Sequence, residues 1–581
     1  MTTNPDIPAR AWLTDEAIER RKQAMYGSVS VLDEVPDDQI LPAYIDVFQH
    51  HLSPSKIPSR NENSLNVPST IMAIACFRTI CRGLHSGYQP GWTQGFSEMH
   101  SEFSILWPGI RAWSLHFISV CTSKNPSVSG LTSGSGVDLT TVRTVTAMCL
   151  ESLARRTSYY ELISTDDALH PYLVEFWRQS CLSRCHVTRR HMSCLLYNLL
   201  FMDETRWVGW STLEVNPVET AKLCFDSVLE DYVEGDGYDD DAFRGSCPMD
   251  LMTVICKSPI LSEAVIHEKS VQFICSLMRR FAGKIIHLRP TRNSGLWNWF
   301  RSTVNFLRAS LSHSNLPIIL ALVDSRVLVL LLRVWPLLPY DRRFSVRHAI
   351  PSIMDAIMLY TSYRSVAHGV IRSIISLDKK GVIVDIKEYT AEIVRAWSDL
   401  KSIARKYYVI RRNCDKLRNV CFACRRVYGR NMQCCSKCES VQYCSMLCQR
   451  THWKTEHKAK CIKSKVTLKD RKYLAFLAQV TIIKHDRTLL PFISDYMNEF
   501  SVTERSSLAI EVSFRKNPKV PKLSIKRITD IADEVGEIKP WLADNHQGER
   551  DTCGMVRVLA PGGFDQSHIF PSGWTAAKLT V

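Results

Sequence analysis

The chain has 581 residues, of which 45% are apolar and 23% charged, and carries a formal net charge of +15 at pH 7. One hydrophobic core rarely supports that length, so about two to four domains are expected, with the composition of an ordinary soluble globular protein. A membrane span is not expected, because Asp324, Arg326 and Arg333 break the most apolar stretch, Leu316 to Leu338, which reads instead as a buried helix pair.

The start, Met1 to Arg10, lacks the basic region and apolar core of a secretory signal. Residues 1–122 are dotted with tryptophan and read as an N-terminal helical region, with a polar loop from Pro54 to Ser69. Residues 123–136, SKNPSVSGLTSGSG, are rich in Ser and Gly and read as a linker or long loop. From 137 to 413 the pattern is mostly helical. Val271, Ile274, Met278 and Phe281 recur at helical spacing, and Gly283 stands where a C-terminal stop would. Similar apolar helices are expected over Val187–Phe201, Pro317–Val334 and Val346–Tyr360. Such a succession suits a HEAT- or armadillo-like solenoid or an irregular helical domain, and no fixed repeat chooses between them.

A helix from about Ile386 to Arg411 leads into a cysteine-rich segment, and basic residues crowd its C-terminal end, where the helix dipole favours them. Beyond that segment, residues 465–581 read as a small α/β portion. It holds a helix over Lys469–Lys484, then the strand-like alternations Leu508–Phe514 and Met555–Leu559. The fold class is therefore mainly α.

The cysteine-rich segment is the most specific feature. Eight cysteines fall between Cys421 and Cys461, in the order Cys421-x2-Cys424, Cys435-x2-Cys438, Cys444-x3-Cys448, His457-x3-Cys461. Thiolates are soft, charged ligands, and Cys-x2-Cys turns converge two sulfurs on one tetrahedral Zn2+. Two sets of four ligands imply two structural zincs. The other 13 cysteines are scattered among apolar residues and read as buried reduced thiols, which places the chain in the cytosol or nucleus. Residues 401–465 hold 17 Lys or Arg against Asp415, Glu439 and Glu456, a basic stripe that could meet nucleic acid. Much of this charge offsets bound thiolate. Eight basic and two acidic side chains of the cluster, set against seven thiolates and two Zn2+, leave the loaded module near +3.

The ligand order and the run Tyr443-Cys-Ser-x2-Cys-Gln-x3-Trp-x3-His-x3-Cys461 resemble the MYND zinc finger. The resemblance implies interleaved ligand sets. Cys421, Cys424, Cys444 and Cys448 would hold one zinc, and Cys435, Cys438, His457 and Cys461 the other. Cys435 rather than Cys434 gives the two-residue gap to Cys438, and His457 rather than His452 gives the right spacing from Cys461. His452 reads as a helix-start residue and Cys414 as structural filler. Four protein ligands per zinc leave no open position for catalytic water. The resemblance further implies a protein-interaction module taking short proline-containing peptides, with Gln449 and Trp453 as contacts. Trp453 could equally pack the small core of the finger.

The enzymatic rival is a lysine methyltransferase whose SET domain is split around a MYND finger. Its Gly-x-Gly strand is missing before Cys421, and Asn545-His546-Gln547 echoes its later motif only in part. Gly134-Ser-Gly136 lies far off, and no phosphate-binding loop or nucleophile elbow is present. Cys181, Cys185, His186, His191 and Cys194 read as core helix residues rather than a third metal site. The acidic run from Glu230 to Asp241 lacks the Gly and closing Glu of an EF-hand and reads as a solvated loop. The expectation is a non-enzymatic, zinc-binding scaffold whose finger recruits a protein.

Overall fold

The computed structural model describes residues 15–35, 40–59, 67–86, 105–123, 138–183, 185–202, 209–235, 247–291, 294–313, 315–340, 346–385 and 387–414. It also describes, with short breaks, 419–500, then 508–516, 520–527, 555–561 and 564–568. The sequence-predicted linker beyond Ser123, Asn545-His546-Gln547 and the end of the acidic run lie outside these residues. Two compact units result: residues 1–265 with 293–302, and residues 266–292 with 303–581.

The first unit is helical throughout its described residues, from Asp15–Met25 to Pro259–Val265. Its helices start where the sequence supplies stops for the free N–H groups. The Asp138 carboxylate accepts from Thr141 N at the head of Leu139–Ala154, and proline occupies the first turns of Trp107–Thr122 and His170–Leu182. Aromatic side chains fill the core. Trp113 and Trp177 are fully buried, Phe77 and Phe117 meet edge to face at 5.6 Å, and the Trp177 indole N–H donates to Ser193 Oγ at 3.1 Å.

Two expectations are corrected in this unit. Glu230 and Asp231 belong to the Pro217–Gly235 helix rather than a solvated loop, and both pair with the buried Arg189 guanidinium. A charge that far from water needs such partners, which explains why the acids gather there. Among the scattered cysteines, Cys76, Cys121, Cys149 and Cys224 are buried free thiols, but Cys194 is disulfide-bonded.

The second unit opens with Glu268–Leu288, where His267 and Ser270 form a reciprocal capping box. Gly283 does not end this helix. The stop falls at Arg289, in the left-handed region at φ 45°. The expected buried pair appears as Leu316–Asp324 and Val327–Val334, broken at Arg326, φ 57°. Asn315 Oδ1 accepts from Ile318 N to start the first of them. Arg364–Lys379 packs against that helix so closely that a Cβ at Gly369 would lie 2.0 Å from Val323 Cγ1. Helix lengths vary, from six residues in Gly209–Glu214 to 24 in Ala391–Cys414, without a fixed repeat. No helix of the described residues is long and apolar enough to cross a membrane.

Ala391–Cys414 and Leu468–Lys484 bracket the cysteine segment in sequence and also touch. Tyr473 O–H donates to Tyr407 O at 2.9 Å, and Asp470 Oδ1 accepts from Ser365 N at 2.8 Å. After a further helix, Asp486–Glu499, comes a four-stranded mixed sheet. Its strands are β5 (Leu508–Ser513), β6 (Lys522–Arg527), β7 (Met555–Ala560) and β8 (Phe564–His568), in the order β6-β5-β7-β8. β5 runs antiparallel to β6 and parallel to β7. The remaining strands belong to the cysteine segment.

Candidate metal centre

Short elements place the ligands. β1 (Asn419–Val420) and β2 (Val427–Tyr428) pair antiparallel around the Cys421-x2-Cys424 turn. β3 (Gln433–Cys434) and β4 (Gln442–Tyr443) form a second ribbon around Cys435-x2-Cys438, closed by Cys435 N donating to Val441 O at 3.0 Å. Successive residues of an extended chain point to opposite sides, so Cys434 is exposed while Cys435 turns inward and is buried. The helix Met446–His452 follows, its first turn fixed by Ser445 Oγ accepting from Cys448 N. Cys448 lies in the first turn of this helix, while Cys444 precedes its extended cap Ser445. A wider π-type turn over Trp453–His457 then carries His457 inward.

The donors gather into two sets. Cys421, Cys424, Cys444 and Cys448 form one, and Cys435, Cys438, His457 and Cys461 the other, with the donor atoms of each set within 4.8 Å of one another. The second set is fully buried and the first only in part. Sulfurs about 2.3 Å from a tetrahedral zinc lie about 3.8 Å apart. The Sγ pairs Cys424–Cys444, Cys444–Cys448 and Cys435–Cys461 stand at 3.7, 3.5 and 3.8 Å, and Cys438 Sγ is 3.4 Å from His457 Nε2. Each set is the size of a zinc tetrahedron, and the donors fit two Zn2+ ions.

The electrostatics agree. Burial pushes the Cys421 thiol up, but the backbone N–H groups of Cys424, Cys444 and Ala423 outweigh it and bring its pKa to about 6. Burial likewise opposes ionisation of Cys435, but the N–H of Cys438, a His457 hydrogen bond and the N–H of Lys437 lower it to about 6. Ser445 favours the Cys448 thiolate, yet its sulfur neighbours, chiefly Cys444, and burial leave it at about 11. Burial and the sulfurs of Cys435 and Cys438 raise Cys461 to about 11. Crowded thiolates resist ionising together. A divalent cation among them removes that repulsion.

The remaining candidates fall around these sets. His452 ends the Met446–His452 helix and stands at the head of the π-type turn Trp453–His457. Its Nδ1 lies 2.9 Å from the Tyr443 hydroxyl, and its ring stacks on His457 at 5.5 Å and 9°. It therefore supports the ligand His457 from outside the set. Cys414 is buried at the end of its helix. Among the described residues these two sets are the only groups able to hold a metal. Cys181 instead meets Ser227 Oγ at 3.3 Å, Cys185 meets Thr188 at 3.0 Å, and His191 lies 3.5 Å from the buried Glu151 carboxylate.

Trp453 is half-buried and packs against the finger core of Cys421, Cys435, Cys438, Val441, Tyr443 and Cys461. It also lines a groove of about 300 Å³ together with Met446, Gln449, Arg450 and Lys454. Met446, Arg450 and Lys454 were not singled out from the sequence. The helical spacing from Met446 through Gln449 to Trp453 was the signal that puts them on one face. Lys472 Nζ donates to Gln442 Oε1 at 2.9 Å and so ties the ribbon to the Leu468–Lys484 helix.

Cysteines and a histidine in two interleaved four-donor sets, on two ribbons and a helix, define a cross-braced two-zinc finger. Residues 421–461 match the profile of the MYND finger family, and this segment is a MYND finger. Forty-four residues are 43% identical to ubiquitin carboxyl-terminal hydrolase 15 of Arabidopsis thaliana, a match covering 8% of this chain and 5% of that protein. No solved structure matches the chain.

Proposed function

We propose that the chain is a recruiting scaffold of the cytosol or nucleus, whose finger holds a proline-containing peptide of a protein partner in the groove beside Trp453. MYND fingers are protein-interaction modules, which supports the general reading. The single observation that carries the specific one is the double placement of Trp453, with one part of the indole on the finger core and another in the groove next to Gln449. An indole face suits a proline ring, and a carboxamide can pair with an extended peptide backbone. Arg450 and Lys454 are exposed at the same groove, which favours an acidic residue beside the proline. Both zinc sets are closed by four protein donors, so the reading is one of binding without catalysis. The match to the hydrolase covers 5% of that protein, and its activity forms no part of this reading. Cys194 is disulfide-bonded, but the other cysteines described in the helical units are free, mostly buried thiols, which suits a reducing compartment. Burial pushes Cys181, Cys256 and Cys275 up to about 12, so these thiols stay protonated.

The test is a proline-rich peptide array probed with the zinc-loaded chain and two variants. Trp453→Ala and Gln449→Ala should each weaken captured peptides about tenfold or more, with zinc content unchanged. Gln449→Ala guards against a Trp453 variant that merely loosens the finger. Unaltered capture by both variants would remove the groove from the account, and retention of RNA with steep salt dependence would favour the basic stripe instead.

A further inference from the structure

A second cavity, of about 530 Å³, lies between the Asp486–Glu499 helix and β6. On the helix side Leu489, Phe492, Asp495 and Glu499 line it at helical spacing, so they share one face. Leu489 is buried at its floor, while Phe492 stands 66% exposed at its lip. On the other side Leu523, Ser524 and Ile525 line it in succession.

Two observations specify an occupant. The first is the sheet edge. β6 pairs on one side with β5, from Leu508↔Arg527 to Ser513↔Lys522, and among the described residues no strand pairs with its other side. Alternate residues of a strand point to opposite faces, so three consecutive lining residues place the cavity along the open edge rather than over one face. An open edge offers unpaired N–H and C=O groups to an added strand. The second is charge. Asp495 and Glu499 are exposed, one helical turn apart, and form no ion pair with any described residue. Of the nearby strand lysines, Lys526 is held by Glu511 at 3.6 Å. The chain as a whole carries +15, so general electrostatics repels a basic ligand and only a local acidic site would hold one.

We propose that this groove takes an extended basic peptide as an added strand on β6. Its lysine or arginine side chains would meet Asp495 and Glu499, and an aliphatic side chain would cover Leu489 and Phe492. The site is independent of the finger groove.

Fluorescence anisotropy with the zinc-loaded full chain tests it, using a short fluorescein-labelled peptide that alternates lysine with valine. The expected result is saturable binding that weakens at least about tenfold in three controls. These are the Asp495→Asn/Glu499→Gln double variant, a peptide N-methylated at alternate amides, and a peptide with glutamate in place of lysine. Gln449→Ala, in the finger groove, should bind as the wild type does. Both substituted acids are exposed and unpaired, so the double variant should fold normally. Absence of saturable binding would overturn the proposal. So would equal affinity in the double variant, and equal affinity for the N-methylated peptide would overturn the added strand.

Discussion

The finger and the first helical unit are held together by different forces. In the finger, four of the six buried core residues, Cys421, Cys435, Cys438 and Cys461, are metal donors, and only Val441 and Tyr443 are conventional core side chains. Its strands are two residues long. In the first unit, by contrast, Trp113, Trp177, Phe77 and Phe117 are buried between long helices with no metal donor set among them. A segment of 41 residues cannot bury enough apolar surface to fold alone, so ligation supplies what packing supplies elsewhere. The same chain therefore joins a part that depends on metal to a part that depends on close packing.

The sharpest way to break this comparison is to remove the metal. Each structural zinc contributes on the order of 10 kcal/mol of apparent folding free energy. A strong chelator should therefore abolish amide-exchange protection across 421–461 while the Leu139–Ala154 and His186–Met202 helices stay protected. Loss of protection in both regions together would mean that they fold as one unit. The converse perturbation is Trp177→Ala. It opens a cavity in the first unit and leaves the Ser193 hydroxyl without its indole partner. A cost of about 3–5 kcal/mol is expected in denaturant unfolding of that unit, with zinc content unaltered. The smallest effect belongs to Cys434→Ser. That side chain is exposed and outside both donor sets, so stability should change by less than about 0.5 kcal/mol and both metals should remain.

The sequence spoke most clearly where chemistry demands fixed spacing. Cys-x2-Cys turns and the Cys-x3-Cys spacing leave few alternatives, and the two donor sets assemble as their order implied. Helices with a strong apolar stripe were also readable, such as Glu268–Leu288, whose Val271, Ile274, Met278 and Phe281 are all buried. Their ends were less so. Gly283 looked like a stop, but a helix ends where its carbonyls find other partners or the backbone turns left-handed, here at Arg289. Glu230 and Asp231 looked solvated because their partner, Arg189, lies 41 and 42 residues away in sequence. β6 and the Asp486–Glu499 helix went unread for a related reason. Lys522, Lys526 and Arg527 make an edge strand look like a loop, and Pro491 interrupts the helical pattern. The groove beside Trp453 was half legible. Gln449 and Trp453 came from a resemblance, whereas Met446, Arg450 and Lys454 required the helix to be seen in place.

Everything proposed for the finger rests on two closed zinc sites holding the surface around Gln449 and Trp453. Native mass spectrometry of the whole chain tests this most directly. Two Zn2+ per chain are predicted for the wild type, and one for Cys435→Ser, with the Cys421, Cys424, Cys444 and Cys448 set still loaded. A single metal in the wild type, or iron in place of zinc, would contradict the account.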